Sequence, residues 1–333
     1  LLELEPALRS SDEFNQAYLE KLRPGTEVDF DRDRTAHAAH LKNCRDYVMT
    51  LPAAQNSLKA HVLFHHLRLQ SELGSYPKED FISYIALPRS PDELFGAKQD
   101  GVTPIQTKTD FRNATGCNAI GDERLLVEAY LEHFLALADD AAAPFIPFIR
   151  ATTLNRLHAR ARLLAGADPK RWSSSILPTY FKFLQDETTI SFASGAPSIL
   201  PGSAAATLVL DLKNTPDLHV RIYELDLPSH LARHDAEPSV SIDLEGLVPH
   251  HERRITYPNA PIQKHRETIA LPELSGSGAW IVEFLSGQIS ARALIRKGQL
   301  IPYVERTSSG QVIRLFDETG SVVTNASAVL GAE

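Results

Sequence analysis

Cysteine is scarce in this chain: Cys44 and Cys117 are the two among 333 residues. A small secreted domain stapled by disulfides carries more, so two buried free thiols are the reading, with a single bridge as the alternative. Long apolar runs are missing as well. The nearest, AAAPFIPFI, is short and broken by Pro144 and Pro147, whereas a membrane-spanning helix needs about 20 apolar residues. No secretory signal is visible. An excess of positive charge is also lacking, with 34 basic against 42 acidic residues and a net charge of −8. That argues against a nucleic-acid partner, which calls for a concentrated basic face.

Catalytic signatures are absent too. There is no Gly-x-Ser-x-Gly elbow and no phosphate-binding glycine loop. Gly116-Cys117 forms no working thioester motif, because Ile120 stands where the acyl-donating Gln belongs. Paired carboxylates such as Asp139-Asp140 fall at helix ends, where capping accounts for them. The expectation is a non-enzymatic protein without a cofactor.

What the chain does contain is a change of hydrophobic period. From Leu1 to about Asp186 the apolar spacing is helical. SDEFNQAYLEKL places Phe14, Tyr18 and Leu22 at steps of four. DRTAHAAHLKNCRDYVMTL runs to Pro52, AAQNSLKAHVLFHHLRLQSEL to Gly74, and KEDFISYIAL to Pro88. Residues 88–121, rich in Pro and Gly, read as a long irregular segment. GDERLLVEAYLEHFLALADD then resumes the helix with Asp122 as its cap, followed by TTLNRLHARARLLAG and ILPTYFKFLQ. Beyond residue 187 the period is two. TLVLDLKN, HVRIYELDL, SVSIDL, ETIAL, GAWIVEFL and ISARALIRKG read as strands, and QVIRLFDETGSVVTNASAVL as a hairpin turning at Glu318–Ser321. The fold class is therefore multidomain α plus β: an all-α domain over 1–187, an antiparallel β-sandwich or barrel over 188–303, which the resemblance described below makes a macroglobulin/immunoglobulin-like sandwich, and a hairpin over 304–333 that either completes it or opens a further sandwich.

Candidate binding residues are few. His37, His40 and Cys44 share one helix face, and His61 and His65 share another. A zinc site needs about four such ligands, and the Glu of helical zinc-enzyme motifs is replaced by Val62. Metal and a plain helix face are both readings, and the ligand count favours the plain face. His250, His251, Arg253 and Arg254 lie in LVPHHERRITY, read as a loop and a contact site or a solvated stretch.

The β half resembles a known family. Gly278-Ala279-Trp280-Ile281-Val282-Glu283, then Ala293-Leu294-Ile295-Arg296-Lys297-Gly298, then the run Val312–Ala326 with its Asp317-Glu318-Thr319-Gly320 turn, are similar to bacterial alpha-2-macroglobulin-like proteins over about residues 190–333. Ser321 departs from the proline that pattern expects. The resemblance implies an MG domain acting as a scaffold or protein-binding bead in a protease-trapping parent, with a protein partner or further domains of that parent, in the extracellular space or cell envelope, the cytoplasm not being excluded. Because the first residue is Leu1, the chain is expected to be a fragment of that larger parent. The rival expectations are an enzyme whose site lies in the helical domain and a carbohydrate-binding sandwich, for which Trp280 and Tyr223 are the aromatic candidates.

Overall fold

Ser11 accepts the amide of Phe14 at 3.2 Å, and Asp33 that of Ala36 at 2.8 Å. These N-caps start α1 (Asp12–Leu22) and α2 (Arg34–Val48), satisfying amides that a helix leaves unpaired. In the computed structural model the described residues are 6–25, 28, 30, 33–96, 103–193, 199–234, 237–258, 260–307 and 310–324. The chain divides into two units, Leu1–Gln185 and Asp186–Glu333.

The first unit is built around α3 (Asn56–Glu72). It is buried nearly all round. Ala60, Leu63, Phe64 and Leu67 face a core shared with α4 (Lys78–Ile85), α6 (Arg124–Leu135) and α7 (Ala151–Leu164). Leu58 and Val62 face the other way, onto Leu19, Cys44 and Val48 of α1 and α2. The histidines of α3, His61, His65 and His66, therefore lie inside the unit, while Arg68 is exposed. A short α5 (Arg112–Thr115) interrupts the irregular segment, and α8 (Pro169–Trp172) and α9 (Pro178–Asp186) close the unit. Asp122 is not the N-cap of α6. Glu123 holds that position without a side-chain cap bond, and Asp122 accepts the Arg124 amide at 2.9 Å.

The second unit is a sandwich. Strands β1 (Thr189–Phe192), β3 (Thr207–Lys213) and β6 (Lys264–Ala270) form one antiparallel sheet in the order β1-β3-β6. The other is ordered β2-β8-β7-β4-β5, from β2 (Ile199–Leu200), β8 (Ile289–Lys297), β7 (Gly278–Ser286), β4 (Asp217–Leu225) and β5 (His251–Thr256). Among the described residues β2 alone runs parallel to its neighbour, β8. Leu208, Leu210 and Leu212 alternate inward against Val220, Ile222, Trp280, Val282 and Phe284, as the pleat requires. The change of period in the sequence thus marks the change from helices to an immunoglobulin-like sandwich.

Three strand assignments need correction. SVSIDL is no strand. After α10 (Leu227–His234) the chain returns as a strap whose Ile242 and Leu244 cover Tyr223, Ile281 and Leu294 on the outer face of the five-stranded sheet. Its alternation suits a single line of contact without a ladder. LVPHHERRITY is no loop: it holds β5, an edge strand whose charges obscure the alternation and blunt the open edge. The terminal hairpin is formed by β9 (Ile301–Thr307) and β10 (Gly310–Phe316), with a single bridge from Phe316 to Val322 beyond it among the described residues. Pro302 hides β9 from a strand search, although a two-stranded edge tolerates it. Residues 325–333 of the expected hairpin lie outside the described residues.

Two glycines separate conformational strain from crowding. Gly298 has φ +87° and an added Cβ would lie 2.5 Å from Ser277 Oγ, while Gly287 has φ +58° and open space around it. Gly287→Ala should cost about 1 kcal/mol of unfolding free energy from the left-handed backbone alone. Gly298→Ala should cost about 2 kcal/mol or more. Urea denaturation of the two variants checks this, and equal losses would show that Ser277 yields without cost.

Candidate functional site

Most of the sequence-selected histidines and Cys44 do meet, at a closed interface between α2, α3 and the turn at residues 111–118. Thr115 donates its hydroxyl proton to Phe111 O at 3.0 Å. His61 Nε2 therefore donates to Thr115 Oγ1, at 2.9 Å. His65 Nε2 donates to the Asn118 carbonyl at 2.8 Å. His40 lies 3.7 Å from Cys44 Sγ. Arg23 adds a bond to Asn113 O at 3.1 Å. The side chains brace an irregular stretch through the Thr115 hydroxyl and the Asn113 and Asn118 carbonyls. His37 stands apart, half-buried and stacked on Phe30 at 4.6 Å.

Burial sets the electrostatics here. His61 is 1% and His65 2% exposed. Burial pulls the His61 ring down to about 4, and burial reinforced by His61 pulls His65 down to about 3. Both rings are neutral at pH 7, donate from Nε2, and leave Nδ1 without a partner. The Cys44 thiol is pushed up to about 12 by burial and then by Cys117, and burial also raises Cys117. Neither is a thiolate at neutral pH, the state in which cysteine is a nucleophile. Both cysteines are free. Among the described residues no group of three or more His, Cys, Asp or Glu is placed to hold a metal ion.

A second polar centre, barely signalled by the sequence, pins the other end of the irregular segment. Arg89 bonds Glu123 through Nε at 3.0 Å and Nη2 at 2.8 Å, and bonds the carbonyls of Tyr84 and Leu87 through Nη1 at 2.8 and 2.9 Å. Its guanidinium lies over the rings of Tyr84 and Phe95, and Tyr84 Oη also donates to Glu123. Nearby, Arg45 bonds Asp80, and His66 Nε2 lies 3.3 Å from Asp80. The one available signal was an arginine between Pro88 and Pro91.

The residues of LVPHHERRITY do not form one site. His250 accepts the Glu224 amide at Nδ1, at 3.1 Å. Arg253 pairs with Glu273 at 2.9 Å, and Arg254 with Asp217 at 2.7 Å. His251 and Arg253 sit opposite Ile222 and Val220, on the face turned toward the other sheet, and Arg254 lies on the reverse face.

Both units have counterparts among known proteins. Residues 1–188 match the family model of the actin-binding protein F N-terminal domain. The chain belongs to that family. Residues 218–298 match the model of its first immunoglobulin-like domain. Actin-binding protein F of Dictyostelium discoideum is 25% identical over 322 residues, 94% of this chain and 14% of that protein. The chain thus spans about a seventh of the length of that relative. A solved fragment of alpha-2-macroglobulin from Escherichia coli, spanning domains MG0-NIE-MG1, is 14% identical, with a TM-score of 0.29 over 41% of this chain and 48% of that one. That likeness is too slight to bear on fold or function.

The family match corrects the alpha-2-macroglobulin resemblance. The motifs behind it, an alternating strand with an aromatic residue and a Thr-Gly turn, are what any antiparallel sandwich needs. The MG-domain reading, the protease-trapping parent and the extracellular or cell-envelope placement fall with it. An enzyme sited in the helical unit has no support either, since its proposed histidines act as braces in a closed interface. The carbohydrate-binding alternative fails because Trp280 and Tyr223 are buried. Among the described residues no helix is long and apolar enough to cross a membrane.

Two measurements test these braces. A neutral buried histidine favours the folded state above its unfolded pKa, near 6.5, and that stability is lost as pH falls toward the folded value. Between pH 7 and pH 5 the chain should lose about 2 kcal/mol for each of His61 and His65. His65→Gln should flatten the pH dependence of urea unfolding; an unchanged slope would show that the ring titrates normally. Arg89→Met should cost about 3–5 kcal/mol, because Glu123 is left without its partner, and a loss under about 1 kcal/mol in the same assay would show the pair to be dispensable.

Proposed function

We propose that the chain is a non-enzymatic actin-contacting module of the cytoplasm. The observation that carries this is the match to Actin-binding protein F, which runs over 94% of the chain and so takes in both units, together with the family model across the helical unit. In this reading residues 1–187 are a recognition domain whose irregular segment is locked by buried polar braces. Residues 188–303 are a spacer between that domain and a further sandwich.

Residues 304–333 fit best as the start of that further sandwich. Ile301, Tyr303 and Val312 on one face of the β9–β10 hairpin and Val304 on the other are all exposed. Two strands alone do not make a stable sheet, and the face carrying Ile301, Tyr303 and Val312 suits the inner face of a sandwich.

Co-sedimentation of the 333-residue chain with filamentous actin tests the proposal. The chain should enter the pellet saturably as filament concentration rises. A chain that stays in the supernatant at every filament concentration would falsify the actin reading.

A further inference from the structure

We propose that one end of the sandwich is a socket for the turn that follows β10, so that the β9–β10 hairpin, and anything that continues from it, is held to the first sandwich in one direction. This goes beyond the actin-contacting reading and does not depend on it. The family model of the immunoglobulin-like domain ends at residue 298, and β9 starts at Ile301. A joint this short limits how far the hairpin can reach but does not set where it points. A second contact is needed for that, and Glu318 makes it. Its Oε2 accepts the Gly202 amide at 2.9 Å, across 116 positions of sequence. A carboxylate on a backbone N–H is a charge-assisted bond. Because the donor is backbone, the bond orders one side chain, whereas an exposed ion pair must order two.

Both sides of this contact are built. Asp317 accepts the amides of Thr319 and Ser321, each at 2.9 Å, and the Thr319 hydroxyl at 2.7 Å. The Asp317 amide donates to the Ser321 carbonyl at 2.9 Å, and Phe316 bridges Val322. Glu318 therefore projects from a closed turn. On the socket side, Ala204 closes the turn at Gly202 by donating its amide to the Pro201 carbonyl at 2.9 Å. Ser277, in the loop before β7, lies between Gly202 and Gly298. A Cβ added to Gly202 would come within 2.8 Å of Ser277 Oγ, and one added to Gly298 within 2.5 Å. Glycine at both positions permits this approach. The loop that carries Ser277 is held from below by Lys297, which is buried and donates from Nζ to the Leu274 carbonyl at 2.8 Å. Gly298 donates its amide to the Leu200 carbonyl at 2.9 Å, tying the start of the joint to β2. The β2–β3 turn, the loop before β7 and the β8–β9 joint thus meet at one place, and the Gly202 amide is offered there to Glu318.

Amide nitrogen-15 relaxation on the 333-residue chain tests the socket, with Glu318→Ala as the variant. Glu318 is exposed, so the variant should keep the wild-type thermal melt. In the wild type the β9–β10 amides should give order parameters near about 0.85, like those of β7 and β8. In Glu318→Ala the hairpin values should fall below about 0.6 while β7 and β8 hold theirs. The Gly202 amide proton should also move upfield as its acceptor is lost. A wild-type hairpin already below about 0.6 overturns the inference. So does a variant whose hairpin stays as ordered as the wild type's, whether or not the Gly202 signal moves, because the contact would then not be what holds the hairpin. None of these outcomes turns on actin binding.

Discussion

Irregular backbone inside a helical unit must have its polar groups partnered, and the first unit is arranged around that requirement. The stretch between α4 and α6 has too little secondary structure to satisfy itself. Arg89 supplies donors at its start, to the Tyr84 and Leu87 carbonyls. His61 and His65 supply them near its end, to the Thr115 hydroxyl and the Asn118 carbonyl. The helices that carry these side chains are packed on one another through α3, so the braces and the apolar core support each other. Losing a brace leaves a buried carbonyl or carboxylate unpaired, which is more damaging than losing an exposed contact.

The same constraint explains why the histidines look like a site in sequence. Histidine can be buried as a neutral donor at modest cost, whereas lysine or arginine carries a charge into the interior. A central helix that must reach a neighbouring loop therefore uses imidazoles at one-turn spacing. Metal-binding helices use that spacing too, so spacing alone does not separate the two roles. Depressed pKa values and Nε2 bonds to backbone and hydroxyl oxygens describe a structural use.

In the second unit the sheets bury their inner faces, and the strap after α10 covers part of an outer face. Glu283 and Arg292 form a pair at 2.7 Å beside that strap, and Arg292 also bonds the Ile242 carbonyl at 3.2 Å. The strap thereby turns β7 into a strand covered on both sides, which accounts for its nearly continuous burial, Glu283 included. A sandwich of this kind is rigid, which suits the spacer role proposed for it.

Local pattern determined the two-part architecture. Hydrophobic period changes near residue 187, and Leu208, Leu210 and Leu212 alternate as a half-buried strand must, because helix and strand geometry act over a few residues. Pattern failed where long-range partners decide the outcome. SVSIDL alternates like a strand but meets a sheet face instead of a strand edge. HERRIT lacks apolar alternation but finds β4 beside it. Motifs of a generic sandwich pointed to the wrong family for the same reason: they encode a pleat and a turn, not a lineage. The histidines were visible in the sequence, and their spacing placed them on shared faces. Their use was not, since Thr115 and Asn118 lie about 50 positions away. Helix, strand and turn were set by the chain's neighbours in sequence; which polar group each buried side chain satisfies was set by packing, because only the folded unit brings those distant partners within hydrogen-bonding distance.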